Sequence, residues 1–340
     1  MESKYIENLT NDLISRELDQ SFIDRCVNYA KRLIDAGLPV IFDARHLSLL
    51  LGISYSRLLF IAFGDKDNLY RTVKIKKKRG GYRTLSIPSI VLKYIQRWVL
   101  DEIIATMKVS DAATGFIRGT SIKENASIHL NSKCILNLDI KDFFPSINKS
   151  DVYRIFYYYG YTDALSDIFA EICTFNDQLP QGAPTSPQLS NIRCIKMDKR
   201  IQLLCKAYNA SYTRYADDIT ISGSCNLEKI KDIVISIIRE EGFEINANKT
   251  RILHPYQRQE ITGLIINNGI IKVPKEYKRE LRKEIYYCKK YGPTNHQEYI
   301  GDNHSFLKEH LYGKAYYVKM IEPEIGEQLL SELDEIDWNR

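Results

Sequence analysis

The chain has 340 residues, 44% hydrophobic and 27% charged, with a formal net charge of +5. That size and mix suit a folded globular protein of one to three subdomains and exclude a fibrous or wholly disordered chain. No stretch of eighteen apolar residues occurs, and the start Met1-Glu2-Ser3-Lys4-Tyr5 lacks a basic-then-apolar leader, so neither a membrane span nor a signal peptide is expected.

Residues 1 to about 65 read as helical. Phe22, Ile23, Cys26, Tyr29, Ala30, Leu33 and Ile34 recur at helical spacing, Gly37-Leu38-Pro39 breaks the run, and a second helical pair flanks Gly52. Tyr70 to Pro88 reads as two strands around Lys78-Arg79-Gly80-Gly81, where the glycines supply the positive φ of a hairpin. From Arg71 to Leu100 there are nine Lys or Arg residues and no acid. A helix from Ile90 to Met107 carries the stripe Val91, Tyr94, Ile95, Trp98, Val99 and Ile103, expected in the core. Asn125 and His129 fall one turn apart if their segment is helical, and then point the same way.

Cys134 to Ile140 is an apolar run of strand length, and Asp139 stands within it. A bare buried charge is too costly, so Asp139 must be paired, metal-bound or at the strand end. Phe143-Phe144-Pro145 closes that strand, with Phe143 expected in the core and Asp142 in solvent. The prolines and glycine of Leu179 to Asn191 predict a rigid turn before a helix running to Leu204. The β-prone runs on either side of Tyr215-Ala216-Asp217-Asp218 predict a hairpin with two adjacent carboxylates at its tip. Such neighbours repel and raise each other's pKa unless a cation lies between them, and hard divalent cations such as Mg²⁺ favour oxygen ligands of this kind.

Leu227, Ile230, Ile233, Val234, Ile237 and Ile238 form an amphipathic helix that Gly242 ends. Beyond Lys272 a basic helical region presents Tyr277, Leu281, Ile285 and Cys288 on one face, with Lys278 among the surrounding bases, and the last twenty residues turn acidic. Basic blocks on either side of an acidic centre suit a gripped nucleic acid. Seven dispersed cysteines without a Cys-x-x-Cys suggest reduced thiols and a cytoplasmic setting.

An acid leaving one strand and two acids on a later hairpin are what two-metal nucleotidyl transfer requires, because acids from separate strands must converge on one point. The Tyr-x-Asp-Asp hairpin, Gly115-Phe116-Ile117-Arg118-Gly119-Thr120-Ser121-Ile122 and Gln181-Gly182-Ala183-Pro184-Thr185-Ser186-Pro187 with Leu189-Ser190-Asn191 resemble the reverse transcriptase family over roughly residues 71 to 264. The resemblance implies an α+β right-hand polymerase fold: an N-terminal helical region (1–65), fingers (66–135), an antiparallel-sheet palm (136–260, with fingers elements around 145–180) and a helical, RNA-binding thumb (261–340). It implies RNA-directed DNA synthesis with Asp139, Asp217 and Asp218 catalytic, and two Mg²⁺ ions (Mn²⁺ as substitute) held by Asp139, Ile140, Asp217 and Asp218. Deoxynucleotide contacts fall to Arg83, to Lys76 or Lys77, to Phe144 as the ring that excludes a ribose 2′-hydroxyl, to Gln181 and to Lys249.

Asn125-Ala126-Ser127-Ile128-His129 matches the Asn-Ala-x-x-His pattern of retron reverse transcriptases, and Ile261-Thr262-Gly263 resembles their Val-Thr-Gly element. That implies RNA contact by Asn125 and His129, a cognate noncoding RNA (msr-msd) as partner, priming from a guanosine 2′-hydroxyl, a branched RNA-linked single-stranded DNA product, and a separate effector protein in anti-phage defence. The alternatives are another bacterial reverse transcriptase, of group II intron or diversity-generating type, and a non-catalytic nucleic-acid-binding scaffold.

Overall fold

The computed structural model describes residues 2–76, 80–300 and 306–338. It is a mixed α/β protein in which small antiparallel sheets sit among many helices. The chain divides into two compact units, each assembled from three segments.

The first unit comprises Met1–Ile117, Ile140–Ile201 and Ile235–Asn246. Its opening helices are Glu2–Ser15, Gln20–Asp35, Ala44–Leu50 and Tyr55–Phe63. Asp19, Asp43 and Ser54 start the last three by accepting a hydrogen bond from a backbone N–H of the first turn. Strands β1 (Tyr70–Lys76) and β2 (Tyr82–Pro88) pair antiparallel as expected. The next helix, Ile90–Glu102, is rotated from the expected stripe: Leu92, Ile95, Gln96 and Val99 are buried while Tyr94 is 59% exposed. The polar Gln96 earns its interior place by donating to Tyr70 Oη (2.9 Å) and to the Ile172 carbonyl (2.8 Å), which an apolar-stripe reading cannot anticipate. Helices Lys149–Tyr158 and Asp163–Cys173 pack through Phe156 and Phe169, whose ring centroids lie 4.8 Å apart.

The second unit comprises Arg118–Asp139, Gln202–Val234 and Ala247–Arg340. It holds a four-stranded sheet in the order β4-β5-β3-β6, from β3 (Cys134–Asp139), β4 (Ser211–Tyr215), β5 (Asp218–Gly223) and β6 (Arg251–Leu253). A small hairpin follows, β7 (Glu260–Ile261) with β8 (Leu264–Ile265). Ile135, Ile261, Leu264, Leu281, Ile285, Leu311, Val318 and Leu329 belong to one continuous core that seats helices Lys275–Tyr291, Leu307–Ile321 and Pro323–Asp334. Lys278, expected among the solvated bases, is instead buried and bound to Glu322 at 2.7 Å, so one acid of the C-terminal cluster neutralises a core-facing cation. Among the described residues no single helix is long and apolar enough to cross a membrane.

Candidate functional site

Side chains alternate across a strand, so register decides which residues share a face. In the β3–β5 ladder Asp139 pairs directly with Asp218, Asn137 with Thr220 and Ile135 with Ser222. Directly opposed residues have Cα atoms about 4.5–5.5 Å apart, so the Asp139 and Asp218 carboxylates share one end of one face. In the β4–β5 ladder Tyr215 pairs with Asp218, which leaves Ala216 and Asp217 as a two-residue loop. Ala216 has φ +56°, a left-handed conformation that costs a residue with a Cβ about 1–2 kcal/mol. The Arg214 guanidinium, fully buried behind the turn, donates from Nη1 to the Ala216 carbonyl at 3.2 Å and holds it there. Arg214 was missed in the sequence, although a cation between Tyr212 and Ile219 in an otherwise β-prone hairpin was the signal.

On the other side of β3, Arg251 of β6 pairs with Asn137. Continuing that antiparallel register brings Lys249 opposite Asp139, and its Nζ lies 2.5 Å from Asp139 Oδ2. Asp139 is 5% exposed, so the ammonium supplies the partner that a buried carboxylate needs. Asp218 opens onto solvent at its outer edge, yet surrounding protein atoms and then the Asp217 and Asp139 charges push its pKa up to about 6, with Lys249 opposing. Three carboxylates and one ammonium thus interact at a single sheet end. Oxygen-only donors under mutual repulsion fit a hard divalent cation. Among the described residues no three Asp, Glu, His or Cys side chains already close tightly enough to cage one ion. Ile140, named with these ligands, is buried and bridges Ile245, so only its backbone carbonyl is chemically able to ligate.

The sequence matches the family described as reverse transcriptase (RNA-dependent DNA polymerase) over residues 75–281. The chain belongs to the reverse transcriptase family. It is 36% identical over 271 residues to the retron Ec86 reverse transcriptase of Escherichia coli, covering 78% of this chain and 84% of that one. It is 32% identical over 339 residues to the retron Mx162 reverse transcriptase of Myxococcus xanthus (88% and 68% covered), and 32% over 316 residues to the retron Mx65 reverse transcriptase of the same organism (86% and 71%). These relatives place it with the retron reverse transcriptases. A solved telomerase from Candida albicans aligns over 78% of this chain and 63% of its own at 12% identity, with a TM-score of 0.45.

In this reverse transcriptase the retron motif residues are not at a surface. Helix Ile122–Ser127 ends before His129, so the two do not share a continuous helix face as expected. Asn125 is 1% exposed and its Nδ2 donates to Thr262 Oγ1 at 3.4 Å. His129 is fully buried, with Nδ1 2.7 Å from Ser222 Oγ and Nε2 2.8 Å from Thr213 Oγ1. Burial pushes its pKa down to about 4, so the ring is neutral at ordinary pH.

The nucleotide-contact candidates Arg83, Phe144 and Gln181 lie in the first unit. Arg83 is exposed on β2 opposite Ile75, whereas Lys76 pairs with Tyr82 and so projects from the other face of the hairpin; Lys77 lies outside the described residues. Phe143 is buried against Phe243 (5.9 Å between centroids), and Phe144 is only half-buried, beside Phe116. The Gln181 carbonyl accepts from Ser86 N–H of β2 at 2.8 Å. The adjoining Gly182 has φ +130°, and a Cβ there would lie 2.8 Å from the Ser86 carbonyl oxygen, so this turn lies against β2 only because the residue is glycine.

Proposed function

We propose that this retron-type reverse transcriptase copies a cognate structured noncoding RNA (msr-msd) into branched, RNA-linked single-stranded DNA, starting from a guanosine 2′-hydroxyl, in the cytoplasm. The observation that carries the catalytic part is the direct pairing of Asp139 with Asp218 beside the Asp217 loop. Asp139, Asp217 and Asp218 are the acids that would hold two Mg²⁺ ions, with the Ile140 carbonyl as a further oxygen. When bound, such a pair activates the primer hydroxyl and steadies the leaving pyrophosphate. Lys249 bonds Asp139; in this reading it releases that carboxylate and meets the incoming triphosphate. Arg83 offers a rigid fork of donors to phosphate oxygens, Gln181 positions the nucleotide, and the Phe144 ring leaves no room for a ribose 2′-hydroxyl. The palm, fingers and thumb of a right-hand polymerase are our reading of the two units.

The retron part rests on the relatives and on the Asn-Ala-x-x-His and Thr-Gly elements, and it includes an effector protein for anti-phage defence. Nucleic acid that copurifies with the protein tests it. Treatment with an enzyme specific for 2′–5′ linkages should split the product into free RNA and DNA. A product with only 3′–5′ linkages would favour an intron or diversity-generating type.

A further inference from the structure

We infer that His129, with Asn125 behind it, is a positioning residue for the catalytic sheet and not a contact for RNA. This rests on the assignment of Asp139, Asp217 and Asp218 as the catalytic acids.

The polar face of the sheet is built in rows. The outermost row is Tyr215, Asp218 and Asp139; the next is Thr213, Thr220 and Asn137; the third is Ser211, Ser222 and Ile135. A sheet face buried this deeply is normally filled with apolar side chains, yet Thr213, Thr220 and Ser222 are 2%, 4% and 1% exposed. Each must therefore find a hydrogen-bond partner or carry a desolvation cost.

His129 supplies two of them at once. It bonds Ser222 on β5 in the third row and Thr213 on β4 in the second, so a single rigid ring spans both strands of the hairpin that carries Asp217 and Asp218. Ser132 donates to Ser222 Oγ at 3.0 Å, so the network assigns the Ser222 hydroxyl as donor to Nδ1 and leaves Nε2–H to donate to Thr213. A neutral imidazole is the side chain that accepts at one end and donates at the other in this fixed geometry. Thr220 bonds Asn137 Oδ1 at 3.4 Å, and Asn137 Nδ2 donates to the Glu260 carbonyl of β7 at 3.0 Å. Asn125 completes the frame by bonding Thr262, in the turn that joins β7 to β8. The two retron signatures, Asn-Ala-x-x-His and Thr-Gly, are thus joined by hydrogen bonds behind the acids. A fully satisfied polar network of this kind fixes one geometry where apolar packing tolerates slippage.

The test uses the full-length protein with poly(rA)/oligo(dT), comparing wild type with His129→Ala, Ser222→Ala and the double variant. Four quantities are read: kcat at saturating template, Kd for the template–primer by anisotropy, Mn²⁺ binding to the resting protein by calorimetry, and thermal stability. Losing a group that orients metal ligands typically costs about 10- to 100-fold in activity or metal affinity, so His129→Ala should lower kcat and weaken Mn²⁺ binding by that factor. The template–primer Kd should stay within about twofold of wild type, and the double variant should fall well short of the product of the single effects. His129→Gln, which keeps a donor and an acceptor, should restore part of kcat. If His129→Ala does not fold, Ser222→Ala and Thr213→Val carry the same readouts. A weakened Kd with unchanged kcat and Mn²⁺ binding would overturn the inference, as would a loss that only follows the unfolded fraction, or no effect at all. Asp217→Asn serves as control: should it stay active, the acid assignment itself fails, independently of His129.

Discussion

Replacing Gly182 by alanine tests how the Gln181 turn is held. At φ +130° a residue with a Cβ is strained by about 1–3 kcal/mol. The new Cβ would also meet the Ser86 carbonyl oxygen at 2.8 Å, so β2 or the turn must move and the Ser86 N–H bond to the Gln181 carbonyl is lost, a further net cost of about 0.5–1.5 kcal/mol. Together these come to about 1.5–4.5 kcal/mol, divided between global stability and displacement of Gln181. Urea unfolding and steady-state dTTP incorporation on poly(rA)/oligo(dT) separate the two shares. We expect a lower unfolding midpoint and a dTTP KM raised about tenfold, since each decade corresponds to about 1.4 kcal/mol. Gly52→Ala is the control: Gly52 also has positive φ (+66°), but nothing lies within 4 Å of its added Cβ, so it should lose some stability and leave KM alone. Unchanged stability and KM in Gly182→Ala would refute the reasoning, and so would equal KM effects in the two variants.

Asp218, raised from 3.8 to about 6, keeps in the folded protein a proton that the unfolded chain releases. Metal-free stability should therefore fall as pH rises across that window and level off above it, whereas Asp218→Asn should lack this decline in pH-dependent denaturation. Divalent-cation binding must displace the same proton, so incorporation at low Mg²⁺ should drop below about pH 6, and Lys249→Met, which removes the opposing cation, should move that limb upward. On the hairpin, Arg83→Ala should raise dNTP KM about 10- to 100-fold, the range for losing a charged hydrogen bond. Lys76→Ala, on the opposite face, should do much less; a larger Lys76 effect would contradict the register argument.

The acidic hairpin was legible because its chemistry is local. Two carboxylates at a turn between β-prone runs gain nothing from packing, and Asp139 at the end of an apolar strand needs a partner. The pairing of Asp139 with Asp218 was not legible, since register between strands so distant in sequence is set by tertiary packing. The Lys249 bond to Asp139 depends on β6, a three-residue strand too short to announce itself. Spacing recorded Asn125 and His129 as a pair but not what they face, and polar residues at such spacing read equally well as a surface. The alternation Asp218-Ile219-Thr220-Ile221-Ser222 was the signal that a buried polar face existed for them to meet. Gln96 and Lys278 show the same limit, each a polar residue drawn inward by partners distant in sequence.

The most direct test of the account is primer extension by Asp217→Asn, beside Asp139→Asn and Asp218→Asn, in protein shown to be folded and to bind poly(rA)/oligo(dT). Loss of a metal-ligand carboxylate should remove several kcal/mol of transition-state stabilisation, so incorporation should fall about a thousandfold or more in each while template binding persists. Incorporation near the wild-type rate in Asp217→Asn would contradict the claim that these three acids, joined at one sheet end, perform the chemistry.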